Sequence, residues 1–178
     1  MVADMTKAVG ELESCFRQIQ QQRMRDMPIL NKALQVAAVG FHPWREFWMG
    51  VLITPWFANL VLLPAAAGAG TLPAPGSSAS FAFPAGRFTF ISAREAGIGT
   101  FLSCSLLSPV FELRTQQQAE EMAREAIRTI MRSHTANRSD NGTHDAVPDK
   151  ISRRRFLARL AASDTDAAAT ADKRSDRL

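Results

Sequence analysis

Two helical patterns bracket a series of short, strand-like pieces. In residues 5–24, Val9, Leu12, Phe16 and Ile19 recur at steps of three and four, which places them on one face of a helix. Glu11, Glu13, Arg17 and Gln18 fall on the other side, and Cys15 borders the apolar stripe. The pattern stops at Asp26-Met27-Pro28, because the residue before a proline is pushed out of helical geometry. Residues 115–132 predict the second helix. Ala119, Met122, Ala123, Ala126, Ile127, Ile130 and Met131 form its apolar stripe, with Glu120, Glu121, Arg124, Glu125 and Arg128 opposite. Thr115 with Gln118 has the spacing of a capping box.

Between the helices the period changes. Residues 34–41 read as a strand, followed by a link through His42 and Pro43. Residues 48–54 and 57–63 read as two more strands, rich in Val, Ile, Leu and aromatics. Residues 65–80 are dominated by Gly, Ala, Pro and Ser and predict a loop. Residues 81–83 and 88–91 read as strands around a turn at Pro84–Arg87, since Phe88 and Phe90 alternate with Thr89. Residues 97–107 supply the last strand. The predicted fold is α+β: a largely antiparallel sheet flanked by an N-terminal and a C-terminal helix. One domain is expected at 1–132. Beyond it, 133–178 is rich in Ser, Thr, Asn, Asp and Ala and is expected to be a disordered tail.

From Phe47 to Gly86 no residue is charged. The centre of that stretch, 48–64, reads WMGVLITPWFANLVLLP. Its composition suits a membrane span, a buried core or a partner-binding surface. A spanning helix needs about 20 consecutive apolar residues, whereas Pro55 and Pro64 cut this run short. A proline inside a helix costs about 3 kcal/mol, and Asn59 would lie in mid-membrane. Two strands joined by a bend at Thr54-Pro55-Trp56 fit better, so no membrane span is expected.

Charge adds one feature. The net charge is +4, but residues 1–131 hold 11 basic and 10 acidic residues against 10 and 7 in 132–178. The body is near neutral, without the concentrated basic face of a nucleic-acid binder. Two cysteines, Cys15 and Cys104, exclude a disulfide framework and a four-cysteine zinc site. His42, His134 and His144 share no ligand spacing, so neither metal nor cofactor is expected. The N-terminus lacks the basic start and apolar run of a signal peptide, and a cytoplasmic location is expected. The glycosylation sequons at Asn137 and Asn141 then carry little meaning.

Catalytic motifs are missing: no GxSxG, Walker A or GxGxxG occurs. Most carboxylates lie on the wet faces of the two helices. Cys15 reads as a packed thiol and Cys104 as a core-strand residue. No enzymatic role is expected. The aromatic cluster is more informative. Trp44, Phe47, Trp48, Trp56 and Phe57 fall within fourteen residues. Large aromatics are usually core, yet tryptophan is also enriched at interface hot spots. Trp44, Trp48, Trp56, Phe57 and Asn59 are therefore candidate partner-binding residues. In the tail, Ser152-Arg153-Arg154-Arg155-Phe156-Leu157 has the pattern of a twin-arginine export signal, at the wrong end of the chain and with no long apolar segment after it. It reads either as a basic amphipathic patch with no specific ligand or as mimicry of a signal, carried by Ser152, Arg153, Arg154, Phe156 and Leu157.

From about Phe16 to Met131 the chain resembles the [NiFe]-hydrogenase assembly chaperones of the HybE/HupJ type. The resemblance rests on Pro28-x-x-Asn31-x-x-Leu34, on Val39-Gly40-Phe41, on the block from Gly50 to Pro64, on the Pro84-x-Gly86 turn with Phe88 and Phe90, and on Cys104 to Pro109. Leu107 and Val110 depart from the family pattern, which favours Phe and Met there. The resemblance implies a non-catalytic, cytoplasmic accessory protein. It would hold an immature small and/or large subunit of an uptake hydrogenase until cofactor insertion and assembly permit twin-arginine export. Other hydrogenase accessory proteins are possible partners. The alternative is a peripheral module that uses its basic tail on membrane or nucleic acid.

Overall fold

A computed structural model describes residues 4–66 and 72–132 of the 178-residue chain. The tail at 133–178, with its motif at 152–157, lies outside the described residues, as does 67–71 within the expected loop. Both helices form where the periodicity places them, as α1 (Met5–Gln22) and α2 (Gln116–Met131). Asp4 caps α1 by accepting the amide of Thr6 at 3.0 Å. At α2, Thr115 Oγ1 accepts the amide of Gln118 at 3.1 Å. The Gln118 side chain reaches back to the Arg114 amide at 2.9 Å, one residue before the position a capping box uses.

Six strands form one antiparallel sheet: β1 (Ala37–Trp44), β2 (Phe47–Ile53), β3 (Ala58–Pro64), β4 (Ser78–Phe83), β5 (Gly86–Glu95) and β6 (Gly99–Leu107). Their order, β1-β2-β3-β6-β5-β4, is two three-stranded meanders joined through β3 and β6. The α+β fold is the predicted one, but β1 is displaced. The expected strand at 34–41 lies at 37–44 and runs through His42 and Pro43. Leu34 and Val36 are buried all the same, held in a loop rather than a ladder. Pro43 is tolerated because β1 is an edge strand. The register shifts between Val39 and His42 at Gly40, whose φ is 66°, a left-handed value that favours glycine.

The sheet curls strongly toward α2. Phe81 of β4 meets Phe47 of β2 at 5.7 Å although two other strands and β3 separate them in the ladder, and Trp44 of β1 stacks on Phe83 of β4 at 4.2 Å. Right-handed twist accumulating at about 20–25° per strand brings the two edges together. On this concave side Met49, Val51, Ile53, Leu60, Leu62, Phe90, Leu102 and Cys104 pack with Ala119, Ala123, Ala126 and Ile130 of α2. The three alanines let the helix approach closely. On the convex side α1 lays Leu12 and Phe16 over Leu52, Val61, Leu63 and Phe101.

Candidate client-binding site

The bend between β2 and β3 is built by one hydroxyl. Thr54 is fully buried, and its Oγ1 donates to the carbonyl of Phe57 at 3.1 Å. The same oxygen accepts the amides of Trp56 at 3.3 Å and Phe57 at 3.0 Å. The backbone amide of Thr54 also donates to the Phe57 carbonyl, at 2.8 Å. A Thr-Pro turn of this kind fixes where the two aromatic side chains emerge. Phe57 turns edge-on to Phe16 of α1 at 5.8 Å and to Trp56 at 5.6 Å.

All five candidate residues in the body, Trp44, Trp48, Trp56, Phe57 and Asn59, are half-buried. They do not form one patch. Trp48, Trp56 and Phe57 pack on the convex, α1 side, whereas Trp44 packs on the concave side against Phe81 and Phe83. Arg45 covers Trp44, its guanidinium 4.5 Å from the ring centroid, and donates to the carbonyl of Ala82 at 3.1 Å. Asn59 donates through Nδ2 to Ser103 Oγ at 2.9 Å, so it is tied across β3 and β6. Its Oδ1, and Nε1 of Trp48, are buried without a hydrogen-bond partner among the described residues.

Neither face of the strands at 48–63 is open along its length. Helices cover both faces: Met49, Val51 and Ile53 are buried on one side, Leu52, Val61 and Leu63 on the other. Access is confined to the ends of these strands and to the bend. The tail residues Ser152, Arg153, Arg154, Phe156 and Leu157 lie outside the described residues.

Asn31 is the residue whose role the sequence did not disclose. Its amide donates to the carbonyl of Pro55 at 2.7 Å. Its Nδ2 donates to the carbonyls of Val110 at 2.8 Å and Leu113 at 2.7 Å, and its Oδ1 accepts the amide of Ala33 at 3.0 Å. One residue, through its backbone amide and its side chain, thus ties together the α1–β1 loop, the β2–β3 bend and the β6–α2 loop. The signal was present, because Pro28-x-x-Asn31, Thr54-Pro55 and Ser108-Pro109 all carry the resemblance. Their meeting point is a matter of topology.

The two thiols differ: Cys104 lies in the core as read from the sequence, whereas Cys15, read as a packed thiol, is only half-buried. Cys104 is buried in β6. Cys15 Sγ lies 3.6 Å from the carbonyl of Ala96. Burial pushes its pKa up, the Glu95 carboxylate adds to this, and Arg23 opposes it. Among the described residues no group of three or more His, Cys, Asp or Glu is arranged to hold a metal ion. No described helix is long and apolar enough to cross a membrane.

The family model described as "[NiFe]-hydrogenase assembly, chaperone, HybE" matches residues 7–159. The chain belongs to this family. A relative from Bradyrhizobium diazoefficiens, "Hydrogenase expression/formation protein HupJ", is 36% identical over 146 residues, covering 82% of this chain and 84% of that protein. A second, "Probable rubredoxin HupJ" of Rhodobacter capsulatus, is 37% identical over 132 residues. That match covers 74% of this chain but 48% of the relative, so the chain spans about half of that protein's length. The two cysteines here are on opposite sides of the sheet and do not make an all-thiolate iron site, which takes four. The solution structure of HybE from Escherichia coli superposes with a TM-score of 0.59 at 20% identity, covering 80% of this chain and 91% of that one. It establishes that the fold is shared.

Proposed function

We propose that this HybE-family chain is a non-catalytic, cytoplasmic chaperone that holds an immature [NiFe]-hydrogenase subunit, small and/or large. It retains that subunit until cofactor insertion and assembly permit twin-arginine export. The observation that carries this reading is the family match, which covers most of the chain and runs to residue 159. It therefore includes the segment 152–157, whose Arg-Arg-x-Phe-Leu wording resembles an export signal. In this reading Trp48, Trp56, Phe57 and Asn59, on one side of the sheet, contribute to client binding. Trp44 stands apart from them and would contact a client separately. Ser152, Arg153, Arg154, Phe156 and Leu157 imitate the client's signal, either competing for a receptor that reads it or occupying the chaperone until a client arrives.

The test is capture of purified small and large subunits by the full chain, with and without residues 151–160. Loss of the segment is expected to change capture or the timing of export, and no change in either would remove the mimicry. Trp56→Ala is expected to weaken capture by about tenfold, as for an interface tryptophan, with the melting temperature nearly unchanged. A lowered melting temperature would make the ring a structural one. Capture that collapses between low and high salt would point to a peripheral module acting through the basic tail.

A further inference from the structure

Five large apolar side chains are exposed among the described residues: Met27, Ile29, Ile91, Phe111 and Met131. Three of them belong to the two loops that Asn31 ties to the β2–β3 bend. Met27 and Ile29 precede Asn31 in the α1–β1 loop, at 45% and 38% exposure. Phe111 follows Val110, whose carbonyl Asn31 holds, and is 55% exposed. Trp56 and Phe57 belong to the bend whose Pro55 carbonyl accepts the Asn31 amide. One end of the sheet therefore gathers apolar side chains from three separate stretches of sequence. A hydrogen-bonded hub fixes their backbone, so little ordering cost remains when a partner binds.

The charges around this end are unused. Arg25, Lys32 and Arg114 stand there with Asp26 and Glu112, all exposed, and none is in an ion pair among the described residues. Cations are in excess, and each is available to a carboxylate on a partner. An apolar centre with a charged, hydrogen-bonding rim has the composition of a protein interface.

We propose that this Asn31-tied end is the docking surface for a hydrogenase subunit, and that it takes an apolar patch edged with carboxylates: the face that the other hydrogenase subunit later covers. The proposal rests on the reading of the chain as a subunit-holding chaperone. Interfaces of permanent complexes are large and apolar, like a domain core cut in half. Before assembly such a face is exposed and prone to aggregate. A chaperone docked on it is displaced by the proper partner, which couples release to assembly without any catalysis.

The experiment measures binding of each purified hydrogenase subunit to the full chain. Met27→Ser/Ile29→Ser/Phe111→Ser is expected to weaken capture about tenfold or more. Ile91→Ser/Met131→Ser, which alters equally exposed side chains elsewhere, is expected to leave capture within about twofold, on the scale of ordinary surface changes. Thermal unfolding is followed for every variant, and Phe111→Ser alone replaces the triple variant if that one does not fold. Adding the second subunit is expected to release the chaperone. Wild-type capture that survives the triple substitution overturns the docking surface and leaves the chaperone reading standing. A stable ternary complex with both subunits overturns the shared face. Failure of the wild-type chain to capture either subunit overturns both.

Discussion

The concave and convex faces of the sheet use the same strands in different ways. On β2, Met49, Val51 and Ile53 point into a closed cluster under α2, with β1 and β4 folded toward each other around it. Trp48 and Leu52 of the same strand point to α1, where the cluster is smaller and half-buried aromatics surround it. The concave side is enclosed by sheet on several sides, whereas the convex side has a single helix laid across it. Unpaired polar atoms mark the same difference. Trp48 Nε1 and Asn59 Oδ1 are both buried on the convex side without a partner among the described residues, and such a group costs about 1–3 kcal/mol. Stability is therefore expected to be concentrated on the concave side. The looser side and the Asn31-tied end are where side chains remain accessible.

Adjacent leucines on β3 give the sharpest way to break this comparison. Leu62 faces α2 and Leu63 faces α1. Leu62→Ala is expected to cost about 4 kcal/mol and Leu63→Ala about 2–3 kcal/mol, because the loss grows with the cavity that cannot collapse. Equal losses in denaturant unfolding would show that the faces are packed alike.

Two glycines test the close contacts on each side. A Cβ at Gly40 would meet Ile127 Cδ1 of α2 at 2.7 Å in a left-handed backbone. Gly40→Ala is expected to cost about 3 kcal/mol, strain and overpacking together. A Cβ at Gly50 would meet the Phe41 ring at 2.3 Å on the convex side. Gly50→Ala is expected to cost about 1–3 kcal/mol and to displace Phe41 toward solvent, visible as a change in the aromatic NMR signals. A larger effect at Gly50 than at Gly40 would reverse the ranking of the faces.

The smallest effect is expected where α1 meets the β5–β6 turn. Arg23 pairs with Glu95 at 2.8 Å, with Arg23 exposed and Glu95 half-buried. Arg23→Ala is expected to change stability by less than about 1 kcal/mol. It also removes the one cation that lowers the pKa of Cys15, so alkylation of that thiol near neutral pH is expected to slow. Faster alkylation would mean that the substitution frees α1 from the sheet.

Much of this fold was legible along the chain. Helical steps in α1 and α2 and the proline breaks at 55 and 64 depend on residues within a few positions of each other. They predicted two helices and a largely antiparallel sheet. β1 was misplaced by three residues because Leu34 and Val36 are buried through a loop, and burial in a loop looks like a strand in sequence. The candidate site was less legible. Trp44 and Trp48 are four residues apart and lie on opposite sides of the sheet, since the β1–β2 turn comes between them. No local pattern links Asn31 to Val110 or Phe111.

The sequence by itself determined the two helices, the strand-rich middle, the bend at Thr54-Pro55-Trp56, the placing of Cys104 in the core and the wording that marks the family, because each depends on short-range spacing. Tertiary structure alone decided that the strands at 48–63 are covered on both faces, that β6 inserts beside β3, and that Met27, Ile29 and Phe111 share one end. Those facts depend on which strands pair and how far the sheet twists, and pairing is set by the summed burial of residues distant in the chain.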